Sequence, residues 1–161
     1  MKVRKNEIEF LLKFFAIFAV AEFLLFVLDF SALENFIAKG AASYFNLAFQ
    51  GNLIFVGGWI FEITSSCTGL VSTGILAAII FSLKKPDVKR KLAIFLSGAA
   101  LLIILNYFRV FLVIGIAKDY SPAAGQIAHV LSWFSTAAFV IALWHYFTKK
   151  ITGVKNFSHF L

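Results

Sequence analysis

Cys67 is the single cysteine of the chain and lies in Glu62-Ile63-Thr64-Ser65-Ser66-Cys67-Thr68-Gly69-Leu70, a hydroxyl-rich run between Gly57-Gly58 and a long apolar stretch. A thiolate is a soft nucleophile, and helix N-termini or nearby cations favour it over the thiol. Two other residues would complete such a site. Arg109 interrupts an apolar run; an arginine within hydrocarbon costs at least about 2.5–3.5 kcal/mol on insertion scales, so it is functional by default. His129 has the one side chain whose ordinary pKa suits proton transfer near neutral pH. Nucleophile, permanent cation and acid/base together make covalent acyl-transfer chemistry possible. Each also has a plainer reading. A lone cysteine in an apolar helix is commonly a small packing residue, a histidine at a span end an interfacial polar group, and Asn106, one turn before Arg109, a helix–helix contact rather than an orienting partner of that arginine.

The other polar residues carry less. Glu62 is read as a solvated carboxylate, with a role in orienting His129 or binding a substrate cation as the alternative. Glu22 has no assigned role. His145 falls at the opposite end of its segment and His159 in the tail. A single cysteine excludes an internal disulfide and a multi-cysteine metal site. HExxH, P-loop and GxGxxG patterns and intramembrane aspartate pairs are absent from the sequence, so the residues require no cofactor and no metal.

The elements that must position these residues are membranous. Of 161 residues, 61% are hydrophobic and the mean hydropathy is +0.89, against an apolar share of about 45–50% in soluble domains. The reading is a single membrane-embedded domain over 1–161, all-α and integral to the membrane, with four transmembrane helices at about 8–30, 66–83, 92–117 and 126–147. A signal peptide ending at Ala19-Val20-Ala21 is the rival for the first, but the apolar run continues through Glu22 to Leu28. Lys13 is expected to snorkel. Ser31–Gln50 carries Leu33, Phe36, Ile37, Ala41, Tyr44, Phe45 and Ala48 at three- and four-residue steps, an interfacial helix. Leu53–Val56 and Trp59–Ile63 around Gly57-Gly58 read as a β-hairpin. Ser65 or Ser66 is expected to cap the second span, with Cys67 at its N-terminus, and His129 to lie in the first turn of the fourth.

Charge gives the orientation. The head, the 84–91 loop and the tail hold eleven basic residues: Lys2, Arg4, Lys5, Lys84, Lys85, Lys89, Arg90, Lys91, Lys149, Lys150 and Lys155. The opposite loops hold Lys39 and Lys118. The positive-inside rule therefore places both termini in the cytoplasm and Cys67, His129 and, roughly 12 Å down its helix, Arg109 towards the outside. The net charge of +7 is thus topological; no basic stripe with interleaved aromatics suggests nucleic acid.

Ser66-Cys67-Thr68-Gly69, then Asn106-Tyr107-Phe108-Arg109-Val110, then Ala128-His129 on successive spans resembles the exosortase/archaeosortase family of membrane transpeptidases, over roughly positions 50–147. The chain is similar to a minimal core of that family, since many members have additional N-terminal spans. The resemblance implies that Cys67 is the nucleophile, completed by Arg109 and His129 and supported by Asn106, Ser66, Thr68 and Gly69. Some archaeal members carry arginine at the position of His129, and Ser65 and Ser66 stand where the exosortase branch commonly has an acidic residue, so Glu62 inherits no role. The implied substrates are secreted proteins with a C-terminal signal of short motif, transmembrane helix and basic cluster; the expected acceptor is an amine, a membrane lipid headgroup, or water. A plain cysteine protease using water, and a non-catalytic transporter or assembly subunit binding an anion at Arg109, are the alternatives. The expected location is the cell membrane, multi-pass, with the active site facing outside.

Overall fold

A computed structural model describes residues 5–152; Lys2, Arg4 and Lys155 of the charge count, and His159, lie outside the described residues. The chain runs α1 (Lys5–Val27), α2 (Ser31–Phe45), β1 (Phe49–Gln50), β2 (Leu53–Val56), β3 (Trp59–Glu62), a 3-10 turn (Ser65–Cys67), α3 (Leu70–Ser82), α4 (Val88–Asp119) and α5 (Pro122–Thr152). The architecture is mostly helical with one small sheet. Among the described residues, three helices are long and apolar enough to cross a membrane: α1, α4 and Pro122–Lys150 of α5.

Helix α1 has no fully buried residue and packs mainly on α3. Its N-terminal end is tied to the α3–α4 loop: Lys84 Nζ lies 3.2 Å from Glu9 Oε2 and donates to Asn6 Oδ1 at 2.9 Å. Lys13 pairs with Glu9 at 2.7 Å one turn towards the N-terminus. At this same end, buried Lys91 donates to Leu83 O just past the last turn of α3.

The segment after α1 is helical over a shorter range than 31–50. Asn46 adopts a left-handed conformation (φ 54°) that ends α2, and its N–H with that of Leu47 satisfies Ser43 O and Ala42 O. Asparagine tolerates this conformation at a helix C-terminus. The buried stripe is Ile37, Ala38, Ala41 and Ala42, whereas Phe36 and Tyr44 are exposed. Released from the helix, Phe49–Gln50 becomes an edge strand, giving an antiparallel sheet in the order β1-β2-β3 with Phe49 opposite Ile54 and Ile54 opposite Phe61. The hairpin expected around Gly57-Gly58 is present, and both glycines have positive φ, 56° and 83°, as a two-residue turn of the I′ type requires. Its second strand ends at Glu62, one residue short of Ile63.

Helix α3 starts at Leu70 rather than Ser66. Gly69 sits at φ 91°, a left-handed conformation that cannot continue a right-handed helix, so neither serine caps it: the N-cap is Gly69, without a side-chain bond. Thirteen residues at about 1.5 Å each give roughly 20 Å, less than the ~30 Å hydrocarbon thickness. Helix α4 exceeds 92–117 at both ends, starting after the Asp87 N-cap. Helix α5 begins four residues earlier than 126, because Pro122 occupies the first helical turn, where its missing N–H costs nothing, and Ser121 Oγ accepts from Ala124 N at 3.1 Å. His129 consequently lies in the third turn, not the first.

Two apolar cores stack along the bundle. One joins α2, the sheet and the C-terminal half of α4 through residues such as Ile37, Ile54, Phe61, Val113 and Ile114, and Cys67 belongs to it. The other joins α3, α4 and α5 through Leu76, Ile80, Ile94, Leu102 and Val140. Near the first core α4 and α5 meet at Gly125, where a Cβ would fall 3.0 Å from Ala117 Cα and 3.2 Å from Val113 O, the small-residue approach typical of membrane helix pairs. Gly125→Val should therefore destabilise the bundle by about 1–3 kcal/mol, read as a lowered unfolding midpoint in detergent; an unchanged midpoint would show that the helices are not in this close contact.

Candidate active site

Cys67 closes the 3-10 turn that links β3 to α3. Its N–H donates to Thr64 O at 2.8 Å, and Thr68 N–H to Ser65 O at 3.2 Å. Thr68, wholly buried, reinforces the turn: Oγ1 donates to Ser65 O at 2.6 Å and accepts from Leu70 N at 3.3 Å. Threonine and serine hydroxyls favour such local bonds over helix continuation. Thr64 Oγ1 lies 2.7 Å from Ser66 Oγ and 3.8 Å from Cys67 Sγ. The cysteine is therefore presented by a rigid turn two residues ahead of the α3 N-cap, and not by the helix N-terminus itself.

Helix α4 holds that turn from the other side. Asn106, 3% exposed, donates from Nδ2 to Cys67 O. It thus anchors the backbone of the cysteine instead of orienting Arg109. Gly69 packs flat on the same turn of α4; a Cβ there would sit 3.1 Å from Asn106 Cβ, 3.2 Å from Ile103 Cα and 3.2 Å from Leu102 O. One turn beyond Asn106, the Arg109 side chain lines the same cavity as Cys67. Its Nε and Nη2 are buried and bond no side chain or backbone group among the described residues. These are free donors in a shielded place, the arrangement that stabilises developing negative charge.

A cavity of about 120 Å³ is lined by Cys67, Arg109 and His129, with Glu62, Gln126 and Phe61 among its other walls. The three residues singled out from sequence, on three separate elements, are brought together. His129 stacks at a tilt on Trp133, ring centroids 5.8 Å apart. Glu62, exposed on the hairpin, is at the cavity lip. Burial, with Asp29 and Glu62 nearby, raises the Glu34 carboxyl of α2 from its ordinary value, so the surroundings of that lip are acidic. Ser66 lines a second, largely apolar groove of about 400 Å³ between α3 and α5 that also has Arg109 at one end. No group of His, Cys, Asp and Glu that could hold a metal ion occurs among the described residues. His145 is in α5 four turns from His129, away from this cavity.

Three features were not singled out in advance. Thr64 places its hydroxyl 3.8 Å from the sulfur. Gln126, one turn before His129 on α5, lines the cavity. Ser132, Ser135 and Thr136 continue the His129 face of α5 at three- and four-residue steps; that spacing was visible in the sequence.

The chain matches the transmembrane exosortase family (Exosortase_EpsH) over residues 3–145, and it belongs to that family. It is 26% identical over 147 residues, covering 90% of this chain and 93% of the relative, to a protein described as a probable archaeosortase D of Methanocaldococcus jannaschii. No solved structure matches the chain. The chain is therefore a membrane protein of the exosortase/archaeosortase family, and the family is one of membrane sorting enzymes.

Asn106→Leu should leave Cys67 O without its buried donor, a loss of about 1–3 kcal/mol, and free the turn. The expected result is faster maleimide alkylation of Cys67 in folded protein. Gly69→Ala, blocked by both φ and space, should have a larger effect; alkylation at the native rate in both variants would refute the clamp.

Proposed function

We propose that the chain is a four-span cysteine transpeptidase whose active site faces the outside of the cell membrane and whose residues are Cys67, Arg109 and His129. The observation that carries the proposal is their convergence on one cavity from the 3-10 turn, α4 and α5. The Cys67 thiol gives its proton to His129 as Sγ bonds the carbonyl carbon at the substrate's sorting motif. Arg109 stabilises the thiolate and then the oxyanion. Collapse breaks the peptide C–N bond, His129 returns the proton to the leaving amine, and a thioester remains on Cys67. An amine acceptor, a lipid headgroup in our reading, attacks that thioester, the C–S bond breaks and the thiol is restored. In our reading the substrates are secreted membrane-anchored proteins with a C-terminal motif, transmembrane helix and basic cluster; the family supports membrane-protein substrates with sorting signals. Ser66, Thr68, Gly69 and Asn106 position the nucleophile.

The topology rests on charge. In this reading α3 with its preceding turn forms the short second span, and both termini are cytoplasmic. Tyr120, between α4 and α5, is 82% exposed, and Lys89 is exposed at the other end. In a Cys67→Ser background, Tyr120→Cys should react with an impermeant maleimide on intact cells, and Lys89→Cys only after permeabilisation. The reverse pattern would invert the topology.

Activity is tested by processing of a co-expressed substrate carrying the C-terminal signal. Cys67→Ala should abolish it, Arg109→Ala should lower it by about 10²–10³-fold as for loss of an oxyanion donor, and His129→Ala by about 10²–10⁴-fold as for loss of a general acid/base. Full processing by Cys67→Ala would end the cysteine mechanism.

A further inference from the structure

Arg109 faces more than the cysteine cavity. On its other side, along the α4–α5 seam, lies a separate cavity of about 100 Å³ lined by Asn106, Arg109, Ser132, Ser135, Thr136 and Leu105 among others. Asn106 borders this cavity and neither of the other two described above. Its Nδ2 is committed to Cys67 O, while Oδ1, wholly shielded, has no protein partner among the described residues. Arg109 Nε and Nη2 are likewise shielded and unmatched. The α5 hydroxyls have spent their protons on backbone carbonyls: Ser132 Oγ on His129 O at 2.7 Å, Thr136 Oγ1 on Ser132 O at 2.9 Å and Ser135 Oγ on Leu131 O at 3.4 Å. Each retains lone pairs only.

The cavity thus offers donors from one guanidinium and acceptors from one amide and three hydroxyls. An anion would suit Arg109 but meet those oxygen lone pairs. An apolar group would strand Asn106 Oδ1 at a cost that a buried acceptor makes unfavourable. A ligand that both accepts and donates fits all of them, and one water needs only about 10–15 Å³ of such volume and two to four polar partners. From this we infer that the α4–α5 cavity is a structural water site, in which a small cluster of water accepts from Arg109 and donates to Asn106 Oδ1 and the α5 hydroxyls.

The site has a consequence for the arginine. Water held on the far side of Arg109 solvates the guanidinium inside the bilayer, where hydration is what makes such a charge tolerable. The Arg109 side chain borders both this cavity and the one that holds Cys67, so the cation can be hydrated from the α4–α5 seam. Asn106 links the two compartments: one end holds the nucleophile's carbonyl and the other faces the water. The inference concerns hydration and stands whether or not Cys67 performs covalent chemistry.

The test is solid-state NMR of the isotope-labelled full chain in lipid bilayers, following polarisation transfer from water to the Asn106 side-chain amide. Transfer is expected in the native chain and equally in Cys67→Ala, which cannot turn over. It should be lost in Ser135→Leu, whose side chain fills the cavity from its rim, or in Ser132→Val should that variant be the better folded of the two. Absence of transfer to Asn106 in the native chain, or unchanged transfer in a folded filling variant, overturns the inference. A shift of the Arg109 Nε resonance on exchanging chloride for iodide would assign the cavity to an anion and overturn it equally.

Discussion

The arrangement depends on one buried contact: the Asn106 side chain on the Cys67 carbonyl, with Gly69 lying flat against the same turn of α4. The bond fixes the cysteine turn to the helix that carries Arg109 one turn further on, so thiol and guanidinium share a single reference. A buried carbonyl left without a donor costs about 1–3 kcal/mol, so this contact matters to the fold itself. The left-handed Gly69 is its geometric condition. It stops the chain from entering α3 early, and it removes the side chain that would hold the turn off α4.

Around that contact the elements divide the labour. The small sheet and α2 form a packed cap over the C-terminal half of α4 and deliver the chain to Thr64 in a fixed register. Helix α5, drawn against α4 at Gly125, brings His129 to the cavity. Helix α1 has no buried residue and packs on α3; its contribution is at the periphery and at the end of the bundle occupied by Lys84. Arg109 is the junction of the three cavities, facing the cysteine, the apolar groove and the α4–α5 seam at once.

Much of this was legible in the sequence because lipid imposes strong patterns. Long apolar runs located α1, α4 and α5, and the Gly-Gly turn located the hairpin. The cost of an intramembrane arginine singled out Arg109, and the order of Cys67, Asn106, Arg109 and His129 pointed to the family to which the chain belongs. What was missed lies at boundaries, where one residue's backbone conformation outweighs hydropathy. The apolar run from Ser66 reads as helix, yet left-handed Gly69 and the Thr68 hydroxyl convert its start into a turn. Pro122 reads as a loop residue, although a first-turn proline starts α5. Asn46 ends α2 and frees Phe49–Gln50 for a strand, a decision invisible to a helical period that continues through Ala48. Asn106 was noticed for its spacing from Arg109, but its true partner, 39 residues earlier, is set by tertiary packing alone.

The central claim is that Cys67 forms a covalent bond to the substrate. Its most direct test is intact-mass analysis of the purified chain after incubation with a sorting-signal substrate in the absence of an amine acceptor. The account predicts an adduct with the mass of the cleaved substrate's acyl portion, mapped to Cys67 and released by hydroxylamine. Cleaved substrate in the presence of unmodified enzyme at every time point, with cleavage retained by Cys67→Ser, would contradict it.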